Sequence, residues 1–277
     1  MTCSGVAHKL RLLTVRRPAL LLSPLLFVAI VAVWSYVTAH WQIPEFILPA
    51  PRKIWNALLF GLTQPVSSPA GFWYHGYVTL IEALAGFAIG SVCGIVIGIA
   101  VAHFRLVEQV VYPYIIALQS LPKVAVAPLF VIWFGFGLEP KILITSVITF
   151  FPLLVNTMAG YRAVESERID LARSLNASPL QIVWKIRLPS ALPFIFAGLN
   201  MAAVLSILGA IVGEFVGAQA GLGVLLLQYN TNLNIAGVYA LFVVLAALGF
   251  SLHQAVRLLE RYFCFWAQTA TRRDPGL

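Results

Sequence analysis

The apolar positions of this chain gather in long continuous runs separated by short polar segments. Ala19–Ala39 carries no charged residue across 21 positions, and Ala83–Ala102, Ile142–Gly160, Ala191–Gly217 and Ile235–Leu252 continue the series. Val110–Phe136 is a further run, marked by Pro113, Pro122 and Pro128, and reads as a broken span. A helix needs about 20 apolar residues to cross the hydrocarbon core. The pattern therefore predicts an all-α membrane protein with six transmembrane helices. It divides the chain into an N-terminal segment 1–18, a membrane domain 19–260 whose largest polar loop is 161–190, and a C-terminal tail 261–277. Lys9, Arg11, Arg16 and Arg17 before the first run resemble the start of a signal peptide. The run exceeds the about 7–15 apolar residues of such a signal, so it is read as the first spanning helix.

Composition supports the membrane reading. Of 277 residues, 60% are hydrophobic and only 10% charged, against about 25% charged in ordinary soluble domains. The net charge of +8 would suit nucleic acid, but the basic residues flank apolar runs and form no single stripe. No nucleic-acid partner is expected. Cys3, Cys93 and Cys264 are far apart, with no disulfide framework and no metal-ligand spacing.

The basic residues also set an orientation, because they are retained on the cytoplasmic side. With the N-terminus inside, the inner segments hold Lys9, Arg11, Arg16, Arg17, Arg105, Arg162, Arg168, Arg173, Lys185, Arg187, Arg257, Arg261, Arg272 and Arg273, which is 14. The outer loops hold Arg52, Lys53 and Lys141, which is 3, and Lys123 is unassigned. This split predicts both termini and the 161–190 loop in the cytoplasm.

Two spans carry glycine stripes. Gly86, Gly90, Gly94 and Gly98 recur at every fourth position, and Gly209, Gly213 and Gly217 repeat the device. Small residues at that spacing let membrane helices approach closely. The first stripe is read as helix packing. The second, with Glu214 inside it, is the candidate pathway or gate, since an ionisable residue within a span is a functional candidate. The bland alternative for Glu214 is a buried carboxylate hydrogen-bonded to a neighbouring helix. Glu82 begins the second run and is expected near the outer interface, in reach of water. His253, near the end of the last run, is expected to be a satisfied interface histidine.

The polar loop has its own local chemistry. Residues 167–175 suit a short helix with Ser166 as cap, acidic residues in the first turn and Arg173 three residues after Asp170. Asn176 follows, a residue able to take the left-handed position after a helix. Ser178, Pro179 and Gln181 then spell a capping box with a proline start. Pro189 and Pro193 are expected to mark the end of this second helix and the start of the fifth span. The result is a stiff helix–turn–helix with apolar groups such as Leu171, Leu175 and Leu180 exposed.

This loop resembles the cytoplasmic "EAA" loop of binding-protein-dependent ABC importer permeases. Asp170, Leu171 and Ala172 fall at its first three positions, Asn176 at its glycine, and Ile186, Leu188 and Pro189 at its I-x-L-P end. The departures are Asp for Glu, Leu for Ala and Asn for Gly. The stretches LPAPRKIWNAL, LQSLPKVAVAPLFVIWFGFG, FFPLLVNTMAGYRAV, GEFVGAQAGLG and LLERYFCFW extend the resemblance over residues 45–266, to the nitrate, sulfonate and taurine branch. Glu82 departs from that branch, where a basic or neutral residue is expected.

The resemblance implies a type I ABC importer permease (MetI-like) architecture in a bacterial inner membrane, with the 161–190 loop as a coupling helix pair. Asp170, Leu171, Ala172, Leu175, Asn176, Ile186, Leu188 and Pro189 would be its ATPase-coupling residues. It further implies two ATPase subunits, an extracytoplasmic solute-binding protein and a second permease copy, all set among membrane lipid. The solute would be an anion of the organosulfonate, taurine or nitrate type, or, on the same pattern, a pyrimidine vitamin precursor or riboflavin. The chain has no G-x-x-x-x-G-K-[ST] loop, so ATP and Mg would be bound by the partner ATPase and no cofactor by this chain.

Two other classes fit the sequence less well. An intramembrane aspartyl protease needs two carboxylates in its spans, but Asp170 and Asp274 lie outside them, and there is no H-E-x-x-H. An ion-coupled transporter often shows two related halves, and no internal repeat is visible here.

Overall fold

The computed structural model describes residue 22 and residues 24–41, 43–66, 68–69 and 71–266. The N-terminal segment 1–18 and most of the tail 261–277 lie outside the described residues. Among the described residues every regular element is helical. In chain order these are α1 (Pro24–His40), α2 (Pro51–Thr63), α3 (Phe72–His103), α4 (Arg105–Ser120), α5 (Lys123–Phe134), α6 (Glu139–Arg162), α7 (Ser166–Ser174), α8 (Pro179–Ile182), α9 (Leu188–Gly217), α10 (Leu222–Thr231) and α11 (Ile235–Phe263).

Helices α3, α6, α11 and the continuous Pro179–Gly217 stretch are long and apolar enough to cross a membrane. The pair α4 and α5 passes only together, bent by 88°. The bend falls at Leu121–Pro122, where proline forces the preceding residue out of the helical region. Four spans, or five with the bent pair, thus stand beside the shorter apolar helix α1.

Helix α6 is the hub, packed between α3 and α9. Both glycine stripes face it. Gly86 and Gly209 meet opposite sides of Thr145, Gly90 meets Thr149 and the Ser146 carbonyl, Gly94 meets Leu153, and Gly98 meets Thr157. Gly213 sits against the backbone of Lys141, and Gly217 against the ring of Phe136. Side chains at these places would push α6 away from its neighbours, so the stripes explain how three helices share so thin a seam. Buried clusters finish the bundle. Ile54, Phe72, Ala83, Ile207, Leu222 and Leu241 join α2, α3, α9, α10 and α11 at one end, while Val101, Ile115, Phe151, Met158 and Tyr161 join α3, α4 and α6 at the other. Large apolar side chains on the outer faces, such as Val92, Val96, Trp133 and Phe250, stay exposed in the isolated chain, as lipid-facing surfaces require.

Gly90→Ala tests the seam. A Cβ there would lie 2.5 Å from the Ser146 carbonyl oxygen, a backbone atom that cannot swing away. Gly76 has open space around it and gains helix propensity on the same change, about 1 kcal/mol. Gly90→Ala should lower the melting temperature of the purified protein, and Gly76→Ala should hold or raise it. Equal melting temperatures would mean that the seam does not limit stability.

Several expectations are corrected. Helix α3 begins at Phe72, so Glu82 lies well inside it and is fully buried rather than hydrated at an interface. Lys141 is not a loop residue but a buried member of α6, and Arg52 and Lys53, the other two basic residues read as external loop, stand in the first turn of α2. Helix α11 runs to Phe263, so His253 is interior to it, and its Nδ1 is buried without a hydrogen-bond partner. Pro189 and Pro193 do not end a helix. A π-helical turn over Val183–Arg187 joins α8 directly to α9, with the Leu188 N–H donating to the Val183 carbonyl. The wider turn makes room for the Pro189 ring, which in a plain α-helix would press on the carbonyl four residues back. The loop is therefore one free helix, α7, and one that is the end of a span.

Candidate functional site

The first candidate site is the loop. Helix α7 starts after Glu165, not Ser166. Ser166 is its first residue, and its hydroxyl reaches Glu167 at 3.4 Å instead of capping the backbone. The helix ends in a Schellman turn: the Ala177 N–H donates to the Ala172 carbonyl (3.0 Å), and the Asn176 N–H to that of Arg173 (2.9 Å). Asn176 takes φ 58°, a left-handed conformation unfavourable to most L-residues. The next helix opens with a complete capping box. The Gln181 N–H donates to Ser178 Oγ (3.3 Å), and the Ser178 N–H donates to Gln181 Oε1 (2.9 Å).

These local bonds fix which face points where. Asp170 pairs with Arg173 at 3.4 Å on the polar side of α7. Leu171 and Leu175 project outward, 63% and 75% exposed, and Leu180 and Trp184 continue the apolar surface. Ala172, Ile186, Leu188 and Pro189 are half-buried where the loop meets the bundle. A face of this kind is what a docking partner covers.

The second candidate site lies at the other end of the bundle. Lys141 Nζ donates to Glu82 Oε1 at 2.7 Å, and both residues are buried. Glu82 Oε2 has no hydrogen-bond partner, and the carboxyl group of Glu214 lies close enough to interact with it. Glu214 is itself 1% exposed. Its Oε1 accepts from the Thr79 hydroxyl (2.6 Å) and its Oε2 from the Gly223 N–H (2.5 Å). The carboxylate therefore sits at the N-terminus of α10, where unpaired N–H groups favour negative charge. Thr79 Oγ1 also accepts from the Leu222 N–H, and His75 Nδ1 from the Gly221 N–H, both at 2.9 Å. Gly221, at φ 132°, must be glycine, because a Cβ there would collide with the Glu214 carboxyl group.

Glu214 thus has partners on α3 and in the first turn of α10, while Gly209, Gly213 and Gly217 face α6 and the α5–α6 corner. Sequence reasoning picked out Glu214 but missed Lys141, Thr79 and His75. The signal for Lys141 was weak, a lone lysine immediately before an apolar run.

The described residues form an all-helical bundle of long apolar spans, with a stiff exposed loop at one end and a buried polar lock at the other. Its fold matches one chain of the MetNI methionine ABC transporter in inward-facing conformations, with a TM-score of 0.55, 21% identity, and coverage of 76% of this chain and 94% of that one. An amino acid ABC transporter crystallised with histidines matches at TM-score 0.53 and 18% identity, over 77% of this chain and 95% of the other.

Residues 90–263 match the family described as the binding-protein-dependent transport system inner membrane component, and the chain belongs to that family. Curated relatives agree. A riboflavin transport system permease protein of Chloroflexus aurantiacus is 34% identical, over 88% of this chain and 89% of its own length. An aliphatic sulfonates transport permease protein of Bacillus subtilis is 31% identical over 87% and 86%, and the taurine permease protein of Escherichia coli 31% over 86% of each chain. The chain is the permease subunit of an ABC importer, a transport component and not an enzyme, located in the inner membrane.

Proposed function

We propose that two copies of this chain form the membrane path of an importer for a small organosulfonate, taurine-like or nitrate-like anion. A solute-binding protein delivers the solute on the outer side, and two ATPase subunits, holding ATP and Mg, dock beneath. Both termini and the 161–190 loop face the cytoplasm, in line with the basic residues clustered there.

The observation that carries the reading is the unbroken helix Pro179–Gly217, 39 residues long. It joins the exposed docking surface at Leu180 to the buried lock at Glu214 with no slack joint. Movement imposed on the loop by closing ATPases reaches the far end of the bundle as movement of one rod. There Gly209, Gly213, Glu214 and Gly217 border the path or its gate. The lock fits this role, because Glu214 ties α9 to both α3 and α10, and Lys141 ties α6 to α3.

The riboflavin relative, at 34% identity, favours a second reading with the same machinery: a riboflavin or pyrimidine-precursor substrate. The test is uptake in proteoliposomes holding the permease, its ATPase and its binding protein. Labelled taurine or an alkanesulfonate should accumulate with ATP inside and without an ion gradient. Riboflavin accumulation in its place would select the second reading. Uptake driven by a gradient in the absence of ATP would overturn the importer mechanism itself.

A further inference from the structure

A cavity of about 580 Å³ opens between α7 and the ends of α3 and α6. Its walls carry four guanidinium groups, Arg105, Arg162, Arg173 and Arg187, with His103 and Tyr161. We propose that this cavity binds a phosphate-type oxoanion, and that its occupant is the headgroup phosphate of an anionic phospholipid. The inference rests on the membrane reading but not on the ATP-driven one.

The charges do not balance within the chain. Arg162 is paired with Glu108, and Arg173 with Asp170. Among the described residues, Arg105 and Arg187 have no carboxylate in ion-pair range. Arg105 and Arg187 each lie close enough to Arg162 to repel it, and all three line the one cavity. Three like charges around one cavity are stable when an anion sits among them. The site is also built for a fixed geometry. The Arg187 guanidinium lies over the Tyr161 ring, 4.9 Å from its centroid, and Tyr161 is buried with its hydroxyl 2.7 Å from His103 Nδ1. Planar guanidinium forks match tetrahedral oxoanions in shape as well as charge.

Position selects the lipid. The cavity lies where α3 and α6 leave their apolar stretches, the depth at which headgroup phosphates sit, and basic pockets between spans on the cytoplasmic side suit anionic headgroups. Ser166, Ile169, Asp170 and Arg173 of α7 form one wall, and the opposite face of that helix carries Leu171 and Leu175. An occupied cavity braces the helix that the ATPase would grip.

The test uses the assembled permease complex in phosphatidylcholine nanodiscs, with or without phosphatidylglycerol, read by native mass spectrometry for retained lipid. The wild type should retain phosphatidylglycerol. Arg105→Gln/Arg187→Gln should bind it about 30-fold more weakly, at the rate expected for two lost interfacial cations, while Arg257→Gln should not change it. Arg105 makes no ion pair and starts an exposed helix, so Arg105→Gln alone keeps the test open if the double variant folds poorly. In a second arm, inorganic phosphate or an alkanesulfonate competes with the lipid. No competition fixes the lipid as occupant. Arginine-dependent competition keeps the oxoanion site and assigns it to a soluble ligand. Retention of phosphatidylglycerol unchanged in both Arg105→Gln and the double variant would overturn the site.

Discussion

Lys141→Met should sharply reduce the amount of folded permease recovered from membranes. Removing the lysine strands the carboxyl groups of Glu82 and Glu214 together in a buried pocket, with no cation to face them. Breaking a buried pair from one side costs about 3–5 kcal/mol, a large part of the stability of an ordinary domain. Water offers no relief, since Glu82 is fully buried. The companion variant decides what the pair is for. Glu82→Gln/Lys141→Met removes both charges and keeps the volumes nearly constant, so folding should largely return. Transport should stay low if the lock takes part in switching the bundle between states. Thermal unfolding of the purified protein and uptake in proteoliposomes measure the two effects separately. A stable single variant would show that Glu82 needs no counter-charge. Normal uptake by the double variant would reduce the lock to packing.

The same residues show where sequence reading stops. The interiors of α3, α6, α9 and α11 were legible because continuous apolar runs are a local signal. Their ends were not. Helix α3 continues back beyond Glu82, read as its start, through Thr79 and His75, polar positions outside the apolar run, to Phe72. They are admitted because each finds a partner far along the chain: Thr79 bonds Glu214 across 135 residues, and Lys141 bonds Glu82 across 59. Nothing near Glu82 in sequence announces Lys141. Prolines divide in a related way. Pro122 bends its helix pair, yet Pro113, Pro128, Pro152 and Pro193 sit inside helices. Neighbouring helices can hold such a backbone in place, and those neighbours are a tertiary fact. The loop was the reverse case. The capping box at Ser178 and the left-handed Asn176 depend on residues within a few positions, so their geometry could be read directly. The cap expected at Ser166 failed by one residue, and the fusion of α8 with α9 escaped because a π turn has no simple sequence mark. The arginine cavity escaped as well, since its cations come from four separate elements.

Leu171→Asp/Leu175→Asp should release the ATPase while leaving the permease folded. Both leucines are more than half exposed, so the isolated chain gains little from them and loses little without them. In a complex the balance changes. Burying one leucine contributes about 1.5–3 kcal/mol, so losing two weakens docking by roughly two to four orders of magnitude. Buried aspartates would weaken it further. The turn supplies a finer probe of the same surface. Asn176→Gly suits φ 58° and should bind as the wild type does. Asn176→Val should strain the Schellman turn by about 1–2 kcal/mol and tilt the apolar face against its partner. The measurement is co-purification of the ATPase with each variant, followed by solute-stimulated ATP hydrolysis in liposomes. Two separate losses are expected: binding fails in the leucine double variant, and coupling falls in Asn176→Val even where binding survives. If both variants retain full binding and full coupling, the ATPase grips the permease elsewhere, and the 39-residue rod from Pro179 to Gly217 is a support and not a transmission.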